Sequence, residues 1–112
     1  MDRRELTKDE RILNLLGLAR RAGVLAVGQD KVFSALKEET KYLVLTTSDI
    51  SDNVMRHVRN AIERGTARHI SLDALDRAGL GAQIGVSSAQ VIALPSDNGL
   101  AIKILKIYEN EE

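Results

Sequence analysis

The 112 residues carry sixteen basic and sixteen acidic side chains, no cysteine and 44% hydrophobic residues. This is the composition of a folded domain rather than a disordered chain, and it excludes disulfides and cysteine-ligated zinc. A net charge of zero removes the global positive field of a dedicated nucleic-acid binder, yet nine basic residues against six acidic ones between Arg20 and Arg68 leave room for a local positive face.

Taken in chain order, Thr7-Lys8-Asp9-Glu10 has the form of a capping box, in which the threonine hydroxyl and the glutamate carboxylate each satisfy an orphan amide. Ile12, Leu15, Leu16, Ala19 and Ala22 follow at helical spacing, and Gly23 is a natural stop, so a first helix is expected here. Val24 to Val27 is too short for a helix and reads as a brief strand. From Gln29 to about Glu38, Val32, Ala35 and Leu36 resume the helical period. Tyr42 to Ser48 is a buried strand rich in branched residues. Ser51 caps a third helix with an inner face of Val54, Met55, Val58, Ala61 and Ile62, closed by Gly65.

A short strand is expected at His69 to Ser71, then a small helix from Leu72 to Arg77, broken by Gly79 and Gly81. Gln90 to Pro95 is another buried strand, with its proline at the end, where a missing donor matters little. Ser96 or Asp97 starts a last helix with Leu100, Ile104 and Ile107 facing inward. Helices alternating with strands imply a single α/β domain over residues 1–112, a three-layer α/β/α sandwich on a small, mostly four-stranded mixed sheet. No apolar segment is long enough to span a bilayer and the charged N-terminus lacks a signal-peptide apolar region, so a cytoplasmic protein is expected.

Catalysis needs a constellation, and none assembles. His57 and His69 have no metal-binding neighbour in sequence, and Asp49 and Asp52 flank a helix start, where carboxylates favour the dipole. Asp49 after a buried strand has the placement of a phosphoacceptor, but the acidic pair that activity requires is missing from the first strand. No glycine-lysine phosphate loop, nucleophile elbow or dinucleotide fingerprint is present. The expectation is a protein that is not an enzyme, with no metal, no cofactor and no small-molecule substrate. What survives is the start of the second helix. Gly28 has no side chain to obstruct a phosphate backbone, the first helical amides point outward, and Lys31 adds charge that Asp30 opposes.

The strings "LLGLARRAG", "VG", "LVLTTSDIS" and "LGAQIGVSSAQVIAL", in that order and spacing, resemble bacterial members of the ribosomal protein superfamily whose names, spelled out, are L-seven-Ae, L-thirty-e, S-twelve-e and Gadd-forty-five. The resemblance runs from about Leu13 to Ile104. It implies an α/β/α sandwich and an RNA-binding edge at the start of the second helix, where kink-turn-binding members carry Gly-x-Asn-Glu and a lysine one turn later. Gly28 matches the glycine, and Val86, Ser87, Ser88 and Ala89 occupy the loop that packs against an extruded base in those members. Asp30 stands where the asparagine is expected, Lys31 where the glutamate is and Ser34 where the lysine is, while Val24 and Ala26 replace strand positions that are often basic. An aspartate accepts but does not donate, so Asp30 does not reproduce an amide's paired contact with a base edge.

The resemblance implies a non-catalytic RNA-binding protein, ribosome- or ribonucleoprotein-associated, with structured RNA such as ribosomal RNA as its partner. Gly28, Gln29, Asp30, Lys31, Ser34, Arg20, Arg21, Val86, Ser87, Ser88 and Ala89 would form its RNA-binding surface. The alternative is a protein-protein interaction module that keeps the fold and has lost kink-turn recognition.

Overall fold

The structure is a computed structural model, and it describes residues 6–38 and 40–110. The chain runs α1 (Lys8–Arg21), β1 (Ala26–Val27), α2 (Gln29–Leu36), β2 (Tyr42–Thr47), α3 (Asp52–Arg64), β3 (Ala67–Leu72), α4 (Arg77–Ile84), β4 (Val91–Pro95) and α5 (Gly99–Tyr108). The strands form one open mixed sheet in the order β1-β4-β2-β3. β2 and β3 are parallel, joined by α3 as the crossover, while β4 runs antiparallel to both β1 and β2.

Alternation along the strands divides the core into two layers. Leu43, Leu45, Ile70, Leu72, Ile92 and Leu94 point to the face covered by α1, α4 and α5, and pack there with Ile12, Leu16, Leu80 and Ile104. Val44, Ala67, Val91 and Ala93 point the other way, against Val32 and Leu36 of α2 and Val54, Val58 and Ala61 of α3. The result is the expected α/β/α sandwich. The largest fully buried side chains are all aliphatic.

Local chemistry explains the element boundaries. The capping box at α1 forms as expected: the Glu10 amide donates to Thr7 Oγ1 at 3.1 Å and the Thr7 amide to Glu10 Oε1 at 2.9 Å. The charged residues 1–5 that precede it lie outside the described segment. Ser51 caps α3 and Gly65 closes it in the left-handed conformation. Ile62, expected on the inner face of α3, is instead 38% exposed, because Val58 and Ala61 already fill the contact with the sheet.

Four other expectations are corrected. The first strand pairs only over Ala26–Val27, and β3 is twice the expected length, Ala67–Leu72, because its parallel register with β2 continues along all six residues. The fourth helix does not span Leu72–Arg77; it begins at Arg77, capped by Asp76, and holds Gly79 and Gly81 within it. A Cβ on Gly81 would lie 2.8 Å from Ser88 Cα and 2.8 Å from the Val86 carbonyl oxygen, so the returning chain requires glycine there. The last helix is capped by Asn98, not Ser96 or Asp97; the Ser96 hydroxyl is engaged with the Lys41 carbonyl at 3.0 Å.

His69, on edge strand β3, lies with Nε2 2.8 Å from the hydroxyl of buried Thr46. Burial holds its pKa below the ordinary imidazole value, with Asp73 opposing and Arg59 adding to the shift. A depressed histidine pKa favours the neutral ring in the folded state, so below pH about 6.5 the unfolded chain binds more protons and stability falls. Thermal melts at pH 7.5 and 5.5 are expected to show a smaller acid loss for His69→Gln than for the wild type; equal losses would remove His69 as a contributor.

Candidate nucleic-acid interface

The start of α2 is fixed by β1. Val27 pairs with Ile92, and the next amide, of Gly28, donates to the Val91 carbonyl at 3.1 Å. Gly28 then turns the chain at φ 91°, ψ 159°, a conformation essentially reserved for glycine, and its carbonyl accepts the first helical hydrogen bond, from Val32, at 3.0 Å. Being glycine, it offers no side chain to the amides of the first turn. α1, α3, α4 and α5 are capped by Thr7, Ser51, Asp76 and Asn98 respectively, so α2 alone among these helices presents an open N-terminus. Gln29, Asp30 and Lys31 are exposed there, and Ser34 is exposed one turn later.

The loop after α4 meets this same sheet end. Gly85 closes α4 in the left-handed region, and the Val86 amide returns to the Gly81 carbonyl at 2.9 Å. The Ala89 amide donates to the Arg77 carbonyl at 3.1 Å, which delivers the chain to Val91 beside Gly28. Ser87 and Ser88 are exposed and Val86 is half-buried. Ala89 corrects the expectation for this loop: it is 4% exposed and belongs to the core, so it anchors the loop instead of facing a ligand.

Two residues outside the sequence-derived set hold the platform together. Gln90 Oε1 accepts from the Ser51 amide at 2.8 Å, fixing the start of α3. Asp49 was expected to favour the start of α3, but its Oδ1 accepts from the Thr47 hydroxyl at 2.8 Å and from the Arg77 amide, the first of α4, at 3.0 Å. Arg77 returns the contact, donating from Nε and Nη2 to the Asp49 carbonyl at 3.2 and 2.9 Å. The Asp49 tie therefore joins the β2–α3 connection to the residue that seats Ala89. A capping carboxylate 28 positions from its helix leaves no local signal.

Arg20 and Arg21 are not brought against the start of α2. They end α1, in the layer on the other side of the sheet. The Arg21 guanidinium folds back over Gly17, and the two line a groove with Gln83 of α4. Asp30 and Lys31 form no ion pair among the described residues, so the net electrostatics at the α2 start are set by one acid, one base and the open amides. Among the described residues no group of three histidine, aspartate or glutamate side chains is placed to hold a metal ion, and no helix is long and apolar enough to cross a membrane.

No family model matches this chain. A solved protein of unknown function from Bacillus halodurans superposes with a TM-score of 0.77 at 26% identity, over 88% of this chain and 97% of that one. The 15.5 kD RNA-binding protein of Giardia lamblia superposes with a TM-score of 0.71 at 17% identity, over 98% of this chain and 96% of that one, a likeness of fold. The RNA-binding protein YlxQ of Bacillus subtilis is 32% identical over 95 residues, 85% of this chain and 92% of YlxQ. Both named relatives are RNA-binding proteins by name, in agreement with the RNA-binding reading of the residues. With a sequence match of that extent in hand, the chain belongs to the family of the RNA-binding protein YlxQ of Bacillus subtilis.

Proposed function

We propose that this protein binds structured RNA without catalysing a reaction, through the edge made by Gly28 to Lys31, Ser34 and the exposed loop residues Val86, Ser87 and Ser88. One observation carries the site: the hydrogen bond from Gly28 to Val91 seats an open helix N-terminus directly beside the loop that ends at Ala89. Free amides at the positive end of a helix dipole are a natural seat for phosphate. The name of the YlxQ relative supports RNA as the ligand.

Kink-turn recognition, a ribosomal RNA target and a cytoplasmic, ribosome-associated setting belong to the same proposal. In that reading Asp30 accepts from a guanine amine where an asparagine would both accept and donate. Lys31 contacts phosphate. Arg20 and Arg21 contribute only to RNA long enough to pass around the sheet to α1.

Fluorescence anisotropy tests it, with a kink-turn hairpin and the same hairpin lacking its tandem G·A pairs, each at low and physiological salt. Lys31→Glu is expected to weaken binding on the order of tenfold at low salt and to lower the salt slope by about one. Unchanged affinity would remove the α2 start as the site. The exposure of Asp30, which has no ion pair among the described residues, and the neutral net charge favour a second reading, a protein-interaction module. Failure to bind either hairpin at low salt would favour it.

A further inference from the structure

We propose that the cleft between α2 and α3 is a second RNA contact, which takes one unpaired nucleotide with its base against the Phe33–His57 pair and its phosphate between Lys37 and Arg64. This rests on the RNA-binding reading and extends it from structured RNA to a single-stranded flank. The cleft has a volume of about 550 Å³, within the range of small-ligand sites. Its floor is Phe33 and Leu36, and its walls carry Lys37, His57, Asn60 and Arg64.

The aromatic placement is the first argument. The chain has one phenylalanine, two tyrosines and no tryptophan, and the fully buried core takes none of them. Phe33 is half-buried and faces the exposed ring of His57, with centroids 4.2 Å apart and planes inclined by 30°. A stacked pair at the mouth of a cleft offers a π surface to any base. Asn60 adds one acceptor and two donors for a base edge.

Charge is the second argument. Lys37 and Arg64 are exposed and neither forms an ion pair among the described residues. The acid on this wall, Glu38, accepts the Tyr42 hydroxyl at 2.8 Å, which raises the Tyr42 pKa and occupies one carboxylate oxygen. An apolar peptide would leave Lys37 and Arg64 without counterions; a phosphate supplies one to both.

Continuity is the third. Both helices start at the β4 end of the platform, α2 through Gly28 to Val91 and α3 through Ser51 to Gln90, and they pack together along the cleft. At about 1.5 Å per residue, Phe33 lies roughly 5 Å along the helix from Asp30 and Lys37 roughly 6 Å further. That distance from the open N-terminus is spanned by one or two nucleotides.

NMR titration separates this proposal from the reading it rests on. A tetra-adenylate, with no hairpin, is expected to shift the Phe33 and His57 ring signals and the Asn60 side-chain amide in a saturable way. Removing the stacking partner in His57→Ala or reversing charge in Arg64→Glu, both at exposed positions, is expected to weaken that binding about fivefold or more. Cleft signals that stay still at millimolar tetra-adenylate would overturn the proposal and leave the cleft to a protein partner. The Gln29, Asp30 and Lys31 amides report independently on the structured hairpin: if they move while the cleft stays silent, only the second contact falls. If the cleft moves with tetra-adenylate while these amides ignore every hairpin, the second contact stands and the α2 site falls.

Discussion

Gly81→Val is expected to be the most damaging single substitution near the loop, lowering stability by about 3 kcal/mol and Tm on the order of 10 °C. Gly81 lies inside α4 and is fully enclosed. The first atom of any side chain there would stand 2.8 Å from Ser88 Cα, 2.8 Å from the Val86 carbonyl oxygen and 2.9 Å from the Ser88 amide nitrogen. All three are main-chain atoms, so no rotamer change relieves them. They are held in place by the Val86 amide on Gly81 and the Ala89 amide on Arg77. Either the loop moves outward or α4 shifts from the sheet, and both expose part of Leu80 and Ile84, which are buried.

Gly79 supplies the control. A Cβ there meets only the side chains of Leu75 and Asp76, at 3.1 and 3.2 Å. Gly79→Ala therefore gains helix propensity, up to about 1 kcal/mol, against a smaller packing cost. Urea denaturation of the two variants separates the cases. A Gly81→Val protein as stable as Gly79→Ala would mean the loop is not seated against α4. Because the same loop borders the α2 start, Gly81→Val is also expected to weaken RNA binding without touching RNA.

Gly28→Ala is expected to cost about 1–3 kcal/mol for the opposite reason. Nothing lies within 4 Å of a Cβ at Gly28, so crowding plays no part. The cost comes from φ 91° combined with ψ 159°. Asparagine, which tolerates the left-handed helical region, is expected to give no rescue, because ψ 159° lies far from it. Alanine, asparagine and valine should then destabilise to similar degrees. A ranking by size would show that space, not backbone conformation, sets the requirement. Relaxation of this turn also redirects the Gln29, Asp30 and Lys31 amides, so Gly28→Ala should lower RNA affinity further than Lys31→Glu does at physiological salt, where the charge term is screened.

The parts of the fold legible in the sequence were those whose causes are local. The Thr7 to Glu10 box, the Tyr42 run and the Ser51 to Gly65 frame each contain their own start and stop. The extent of α4 is not legible in the sequence, because two glycines in eight residues carry the signal of a breaker. The second of them, Gly81, answers to a loop that comes back from further along the chain. The start of α5 falls at Asn98 and not at the expected Ser96 or Asp97, since adjacent Ser, Asp and Asn are all competent caps and a hydrogen bond to Lys41, 55 positions away, engages Ser96. Gly28 and Lys31 could be singled out from residue type and spacing. Asp49 and Gln90 could not, since their partners lie 28 and 39 positions away.

The two layers of the sandwich are unequal, and the difference bears on how the molecule opens. Among the described residues, sixteen buried side chains form the cluster under α1, α4 and α5, against nine under α2 and α3. Local unfolding follows the smaller buried surface, so α2 with α3 is the unit expected to exchange its amides first, with the three-helix side holding the sheet. Gly28 to Lys31 belong to this thinner layer. A ligand that binds only the closed form stabilises it in proportion to its concentration over its dissociation constant. Binding at the α2 start would then slow hydrogen exchange through α3, a helix whose own cap is already satisfied.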